Sequence, residues 1–392
     1  LMLGFLLARA GVPVVVLEKH ADFLRDFRGD TIHPSTLELM AELGLDKGVL
    51  ALPHEKVPRV SGQFGDEALV FADFSRLPVR HPYIAMMPQW DFLSFLAEQS
   101  RRYPTFTLIM TASAEDLLRD GDRVTGVRAV TPEGPLEVRA DLVVAADGRH
   151  SVLRARAGLA LDDLGAPMDV LWFRLSRKAG DLAESMGRFQ PGRLLVHINR
   201  GDYWQCALVI PKGAADAVRQ RGLETFRRQV AALLPWAAER LARDVKSWDD
   251  VKLLSVRVDR LRTWYAPGLL AIGDAAHAMS PIGGVGINLA IQDAVAAANI
   301  LWQPLRDKQL EIRHLAAVQR RREWPTRATQ RLQLMIQNRV IGPALTSTQP
   351  LRPPLVLRLA ARFPVLRRLT ARVIGVGLRP EHVHSPELPS VG

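Results

Sequence analysis

Cysteine is almost absent from this sequence, because Cys206 is the single one among 392 residues. A lone cysteine excludes an internal disulfide and a zinc site built only of cysteines, and it favours a reducing, cytoplasmic compartment. Cys206 stands in an apolar run, residues 204–210. That setting is typical of a residue that fills the interior side of a strand, rather than of a nucleophile.

Long apolar runs and histidine clusters are also missing. No stretch reaches the ~20 uninterrupted apolar residues that a membrane span needs. The ten histidines are scattered along the chain, and no His-x-x-x-His pair on a predicted helix would supply two metal ligands, so we expect no metal site.

Acidic residues are fewer than basic ones, with 41 Asp and Glu against 52 Lys and Arg, for a net charge of +11. Such a charge can attract nucleic acid. The basic residues are nevertheless spread along the chain without a nucleic-acid-binding motif, so we expect no nucleic-acid partner. The content of 48% hydrophobic and 24% charged residues is ordinary for a soluble protein of about two domains.

The most informative stretch that is present covers residues 268–293. A short apolar strand over residues 269–272 places Asp274 at its carboxyl end, where open α/β sheets position groups that contact ligands. A helix begins near Ile287 and directs unpaired N–H groups and its positive dipole end toward an electron-rich ligand. Three glycines before that helix allow close approach of the backbone: Gly283, Gly284 and Gly286.

Two further elements agree with this stretch. Residues 141–154 combine an apolar strand with an Asp-Gly turn, and they contain Asp147, Gly148, Ser151 and Arg154. Near the start of the chain, Gly4, Gly11 and Glu18 are spaced seven residues apart. Helix packing and a helix C-cap would also explain those two glycines, but their register with Glu18 favours the later part of a dinucleotide-binding fingerprint.

Together the three elements resemble the motifs of the para-hydroxybenzoate hydroxylase-like family, the FAD-dependent aromatic-ring monooxygenases. In that family the aspartate after the strand meets the ribityl chain of FAD and the glycines flank its isoalloxazine ring. The resemblance implies a set of FAD-binding residues: Glu18, Arg28, Gln89, Asp147, Gly148, Arg154, Gly273, Asp274, Pro281, Gly283, Gly284, Gly286, Ile287 and Asn288.

The sequence departs from the family pattern at its start, because the first strand and the Gly-x-Gly-x-x-Gly loop that would precede Gly4 are absent. We expect the missing strand to belong in the middle of the sheet. The missing loop would supply the N–H groups that hold the FAD pyrophosphate, so we expect the chain either to bind FAD weakly or to fold poorly.

The resemblance implies an α/β fold: a Rossmann-like FAD-binding domain of the glutathione-reductase type, an inserted and mostly antiparallel β substrate domain, and C-terminal helices. The FAD-binding domain would comprise residues 1–56, 84–160 and 255–305, and the substrate domain residues 57–83 and 161–254. Residues 306–392 would form a helical arm and tail. The alternation of apolar residues with arginine over residues 353–376 suits three roles: packing on the body, a homodimer contact, or a membrane-surface segment.

The activity implied is hydroxylation of a small aromatic, phenol-like substrate. NAD(P)H would reduce FAD, dioxygen would add at the flavin C4a position, and the resulting hydroperoxide would transfer one oxygen atom to the ring. We expect Pro281 to border the reacting edge of the flavin. His197 and Tyr203, on the predicted substrate sheet, are candidates for a catalytic base facing the ring, whereas His277 is either a base or a structural histidine.

Two alternatives stay open on the residues alone. Another flavoenzyme could use the same scaffold, such as a halogenase, an epoxidase or a reductase of isoprenoid chains, although the Trp-x-Trp-x-Ile-Pro signature of many halogenases is absent. The chain could also be an inactive fragment or bind an aromatic ligand without converting it, since a fold does not fix a reaction.

Overall fold

The computed structural model describes residues 1–24, 31–181 and 185–388. The helices are α1 Met2–Arg9, α2 Pro34–Glu42, α3 Asp46–Ala51, α4 Gln89–Ser100, α5 Val152–Arg156, α6 Ala215–Gln220, α7 Leu223–Leu233, α8 Ala238–Asp244, α9 Gly286–Arg306, α10 Ile312–Ile336, α11 Gly342–Thr346, α12 Leu355–Arg362 and α13 Pro364–Gly375. The strands are β1 Val14–Glu18, β2 Thr31–Ile32, β3 Glu55–Val57, β4 Arg59–Phe64, β5 Glu67–Asp73, β6 Ile84–Met86, β7 Phe106–Met110, β8 Ser113–Asp120, β9 Arg123–Thr131, β10 Gly134–Arg139, β11 Val143–Ala145, β12 Leu161–Asp163, β13 Met168–Ser176, β14 Met186–Gln190, β15 Arg193–Asn199, β16 Tyr203–Pro211, β17 Lys252–Leu254, β18 Asp259–Leu261, β19 Tyr265–Ala266 and β20 Leu269–Ala271.

Parallel strands form the first layer of the fold. Strand β1 pairs in parallel with β7, and β11 pairs in parallel with β20. Strand β20 consists of Leu269, Leu270 and Ala271, all fully buried, because apolar side chains on both faces are covered by neighbouring elements. Helices α1, α4 and α9 contribute to the core cluster that encloses these strands.

The two parallel ladders are separate in the described part of the chain, because no pairing joins β1 to β11. The side chain of Val15 in β1 is 43% exposed, unlike the buried side chains of β20. The cavity described below extends between the ladders, past Val15 and Val16 on one side and Val143 and Val144 on the other. The cavity therefore continues into the space between the two ladders.

A seven-stranded, mostly antiparallel sheet forms the second layer, in the order β17-β13-β16-β15-β14-β4-β5. Its side chains alternate between two faces. Leu195 and Cys206 point toward helices α6 to α8 and belong to a buried cluster there, and burial raises the pKa of the Cys206 thiol. Leu194 and Ala207 lie on the opposite face and line the cavity.

Helices α9 and α10 pack against each other at the back of the parallel layer. One segment, Ile282–Arg306, is long and apolar enough to cross a membrane, but 56% of its most apolar window is buried inside the protein. It contributes Ile291, Val295 and Leu301 to the main core cluster. The segment is therefore a core helix of this fold, which explains its apolar composition.

Candidate active site

A cavity of about 2380 Å³ lies between the parallel ladders and the seven-stranded sheet. Typical ligand pockets of roughly 300 to 1,000 Å³ are smaller, so this cavity has room for a large cofactor together with a second ligand. Its walls bring together most of the residues that the sequence predicts for FAD: Glu18, Gln89, Asp147, Gly148, Gly273, Asp274, Pro281, Gly283, Gly284, Gly286 and Ile287.

Asp274 enters the cavity from the turn that follows β20. The preceding residue, Gly273, has φ +58°, and a Cβ there would lie 2.9 Å from the Cβ of Ala290, so only glycine fits the turn against α9 without strain. The Asp274 side chain is 32% exposed, and its Oδ2 lies 3.4 Å from the guanidinium of Arg149. A carboxylate in this position can accept hydrogen bonds from ligand hydroxyls.

A buried ionic cluster holds this turn from behind. The Oδ2 atom of Asp293 accepts the N–H of Gly273 at 3.0 Å and lies 2.6 Å from Nε2 of His277. The Oδ1 atom accepts from Arg322 at 3.0 Å, and Arg322 also reaches Glu381. Burial alone would raise the pKa of Asp293, but His277, Arg322 and the Gly273 N–H lower it overall. His277 is thus a structural partner of Asp293.

The Asp-Gly turn approaches the same region from β11. Oδ2 of Asp147 accepts the backbone N–H groups of Val152 and Leu153 at 2.8 and 3.2 Å, which caps helix α5. Gly148 has φ +83°, and a Cβ built there would meet no atom within 4 Å. The turn therefore leaves open space beside its backbone on the cavity side.

The glycine turn before α9 is fixed to strand β2. Gly283 and Gly284 have φ values of +77° and +63°, a conformation that favours glycine. The Asn288 amide donates to the carbonyl oxygens of Thr31 and Gly284 at 2.9 and 3.1 Å. Its Oδ1 accepts the N–H of His33 at 2.9 Å and also the Thr36 hydroxyl. Asn288 thus positions the turn, and it does not line the cavity.

Arg154 is likewise a positioning residue and not part of the cavity wall. Its side chain is 9% exposed, and it donates to the carbonyl oxygens of Ala275 and Arg149 at 3.1 and 2.6 Å. The side chains of Arg154 and Asn288 are committed to the protein behind the loops, so a contact of Asn288 with FAD would use its backbone, and the FAD contacts of both residues stay predictions. Arg28 lies outside the described residues.

The expectation that His197 faces the substrate ring is wrong. Residues of β15 alternate, so Leu194, Val196 and Ile198 line the cavity while His197 points the other way. It is 3% exposed and packs edge-to-face against Trp204 and Trp236, with ring centroids 5.1 and 6.1 Å away.

Tyr203 also lies apart from the cavity wall. It shares its face of β16 with Gln205, but it stands at the first position of the strand, with the guanidinium of Arg174 4.8 Å from its ring centroid. Polar side chains of the seven-stranded sheet that line the cavity include Arg59, Ser61 and Gln205. Arg200, in the turn before β16, lines it as well, and its Nε donates to Oε1 of Gln205 at 2.9 Å.

Several of these residues were missed by the sequence analysis. The sequence could have indicated Asp293, because it is a lone carboxylate in an apolar helix. Arg322 is distant from Asp293 in sequence, and no sequence pattern indicates it. Gln205 is hidden in an apolar strand until the register of the sheet is known.

The residues present fit an FAD group in two respects. Helix α9 begins at Gly286, where the nearest atoms to an added Cβ would be Met279 Cβ at 3.8 Å and Asp274 Oδ1 at 4.0 Å. The helix start is therefore open toward the cavity beside a carboxylate, an arrangement that suits an electron-rich ring carrying a hydroxylated chain. Among the described residues, no group of three or more His, Cys, Asp or Glu side chains could hold a metal ion. Fold and cavity together define a flavoprotein.

Comparisons with known proteins agree with this geometry. A family model described as FAD binding domain matches residues 1–332. The chain is 34% identical over 375 residues to 6-methylpretetramide 4-monooxygenase of Streptomyces rimosus. The aligned residues cover 94% of this chain and 89% of that protein.

Two solved structures share the fold. PqsL of P. aeruginosa in complex with 2-aminobenzoylacetate has a TM-score of 0.74 at 24% identity, with 88% of this chain and 95% of that chain covered. OxyS anhydrotetracycline hydroxylase of Streptomyces rimosus has a TM-score of 0.70 at 22% identity, with 97% and 74% covered.

The chain belongs to the FAD-binding domain family, among the FAD-dependent aromatic monooxygenases of the para-hydroxybenzoate hydroxylase-like group. The predicted α/β fold, the FAD-dependent monooxygenase activity on an aromatic substrate and the use of NAD(P)H are thereby confirmed.

Proposed function

We propose that the chain hydroxylates a phenol-like ring held between the glycine turn and the seven-stranded sheet. The observation that carries the proposal is that the cavity has two different walls. Asp274, Pro281 and the turn at Gly283 form one wall, and apolar residues of the seven-stranded sheet form the other. Similarity to 6-methylpretetramide 4-monooxygenase supports monooxygenation of an aromatic substrate.

One wall of the cavity would bind FAD, and the other would bind the substrate ring. On the flavin side, Asp274 would accept hydrogen bonds from the ribityl chain, the N–H groups at the start of α9 would face the flavin ring, and Pro281 would border its reacting edge. Glu18 would meet the adenosine ribose, while Gln89, Asp147 and Gly148 would line the cofactor between these ends. Once reduced by NAD(P)H, FAD supplies the activation of dioxygen that inserts one oxygen atom into the ring.

On the substrate side, the chain's own residues would exclude water and orient the ring. Val170, Leu194 and Ala207 provide an apolar wall, which keeps the reacting edge dry. We propose Gln205, hydrogen-bonded to Arg200, as the polar group that orients the phenol hydroxyl, since neither His197 nor Tyr203 lines the cavity.

We also propose the division into an FAD-binding domain of residues 1–56, 84–160 and 255–305, a substrate domain of residues 57–83 and 161–254, and a C-terminal arm and tail. Separate core clusters under the parallel strands and under the seven-stranded sheet support it.

A cytoplasmic location is favoured by the unpaired, buried Cys206. A homodimer stays a prediction, which light scattering during gel filtration would test.

The experiment is to load the protein with FAD, record its visible spectrum, and follow NADH and NADPH oxidation with a panel of phenols under ¹⁸O₂. A hydroxylated product carrying one ¹⁸O per NAD(P)H consumed supports the proposal. Gln205→Ala should raise KM with FAD content unchanged, whereas Gln220→Ala, outside the cavity, should behave as the original protein. A halide-dependent product, an epoxide, or flavin binding without turnover of any phenol would overturn it.

A further inference from the structure

Helices α12 and α13, with Phe363 between them, carry apolar side chains that the rest of the described chain leaves 37% to 78% exposed. Val356 and Val365 are 75% and 78% exposed, far more than a packed helix would leave. Six residues form this patch, which we call the tail surface: Leu355, Val356, Phe363, Val365, Leu366 and Leu369. Contiguous exposed apolar surface of this kind marks an interaction site.

The helices that carry the tail surface contain arginine but no acidic residue. Between Glu323 and Glu381 the sequence contains no Asp or Glu. In residues 1–24, 31–181 and 185–388, no ion pair engages the arginines of α12 and α13, which are Arg358, Arg362, Arg367, Arg368 and Arg372. The complementary partner is therefore both apolar and anionic.

The inner sides of the same helices close the cavity. Both helices pack on β5, and Ala360, Val373 and Ile374 line the cavity wall. Gly375 is packed so closely that a Cβ there would lie 2.9 Å from the ring of Phe74. The helices are thus anchored to the body on one side. Of the tail surface, Val356 and Leu369 also line the cavity, whereas Leu355, Phe363, Val365 and Leu366 do not.

We propose that the tail surface docks on an anionic lipid bilayer. An interfacial helix places Leu, Val and Phe at the boundary between headgroups and acyl chains and keeps arginine at the headgroups, which is the arrangement here. A two-fold contact between copies of this chain is disfavoured because it would bring like-charged arginine sets together. If the proposed function also holds, an apolar phenolic substrate would enter from the membrane side of the cavity.

The test uses the FAD-loaded full chain in flotation with vesicles of phosphatidylcholine alone or mixed with phosphatidylglycerol. We expect binding to the anionic vesicles only. Replacing both Arg358 and Arg362 by Glu should weaken partitioning by at least about 25-fold, since each arginine near an anionic surface contributes roughly fivefold. The matched control replaces Arg101 and Arg221, exposed residues at the ends of other helices, by Glu and should bind as the original chain does.

Two single variants test insertion of the apolar side chains. Val365→Asp should also weaken binding, and because the side chain is 78% exposed it should fold normally. Phe363→Trp adds one tryptophan to the eight of the original chain. The difference between the emission spectra of the two proteins should shift to the blue with anionic vesicles but not with neutral ones.

Three outcomes would overturn the docking proposal: no vesicle binding, equal binding by the Arg358 and Arg362 double variant, or a tail-dependent contact with a second copy or an acidic protein in the absence of vesicle binding. Phenol turnover is read separately in detergent-free buffer. Docking without turnover would contradict the proposed function alone, and turnover without docking would contradict this inference alone.

Discussion

The guanidinium of Arg154 donates a hydrogen bond to the carbonyl oxygen of Ala275 across 3.1 Å. Its second Nη donates to the carbonyl oxygen of Arg149 at 2.6 Å. One nearly buried side chain therefore joins the turn after β11 to the turn after β20, and these two turns carry Asp147 and Asp274. The spacing of the two aspartates along the cavity depends on a residue that does not line it.

Arg154→Ala should accordingly lower both stability and flavin content. Two backbone carbonyls would lose a charged donor, at a cost of about 2 to 3 kcal/mol in the free energy of unfolding. The measurements are urea unfolding and the ratio of flavin to protein absorbance after gel filtration. Arg156→Ala, whose side chain is 57% exposed, is the control and should change neither value. If Arg154→Ala kept its full flavin content, the two turns would hold their spacing without the Arg154 side chain, and the prediction would be wrong.

Asp274→Asn should weaken FAD binding with little effect on the fold. The amide keeps the shape of the side chain but loses the carboxylate that would accept ribityl hydroxyls, and charged hydrogen bonds contribute about 1.5 to 3 kcal/mol, or roughly a 10- to 150-fold change in Kd. Flavin fluorescence titration measures the Kd. The control is Asp216→Asn, at a side chain that is 85% exposed. An unchanged Kd would remove Asp274 from the cofactor site.

The cofactor side of the site is predicted from local patterns. The strand, the carboxylate and the glycine turn of residues 268–293 lie in one contiguous segment, so the sequence determines their order and spacing. The structure indeed places Asp274, Pro281 and Gly286 on one cavity wall.

The substrate side could not be predicted in the same way. Which residues of β15 and β16 face the cavity depends on sheet register and on which face the helices α6 to α8 cover, and a shift of one residue exchanges the faces. His197 was misassigned for this reason. Contacts such as Arg322 with Asp293 or Asn288 with Thr31 join distant segments, and no local spacing indicates them.

Gly284→Ala should destabilise the turn more than Gly283→Ala. Both glycines have positive φ, which costs an alanine roughly 1 kcal/mol. Only at Gly284 would the new Cβ also clash with the Thr31 hydroxyl oxygen, whereas at Gly283 the nearest atom is 3.6 Å away. We expect a loss of about 1 kcal/mol for Gly283→Ala and at least about 2 for Gly284→Ala. Equal losses in urea unfolding would contradict the close packing of this turn on β2.

Stability should fall as pH is lowered from about 6.5 to about 4, because two histidines are buried in neutral form. Burial, followed by the charge of Arg188, lowers the pKa of His197 to about 4. Burial lowers the pKa of His33 to about 4 against the opposing hydrogen bond to Ile374. The unfolded chain therefore takes up protons first, which costs on the order of 2 kcal/mol per histidine by pH 5.

Urea unfolding at pH 7.5 and pH 5 measures this dependence. His197→Gln should reduce the difference between the two pH values, since one of the two groups no longer titrates. His384→Gln, at an exposed side chain, is the matched control and should leave the difference unchanged. The same pH dependence in all three proteins would mean that His197 is protonated within the folded state, and its packing between Trp204 and Trp236 would then have to open to admit water.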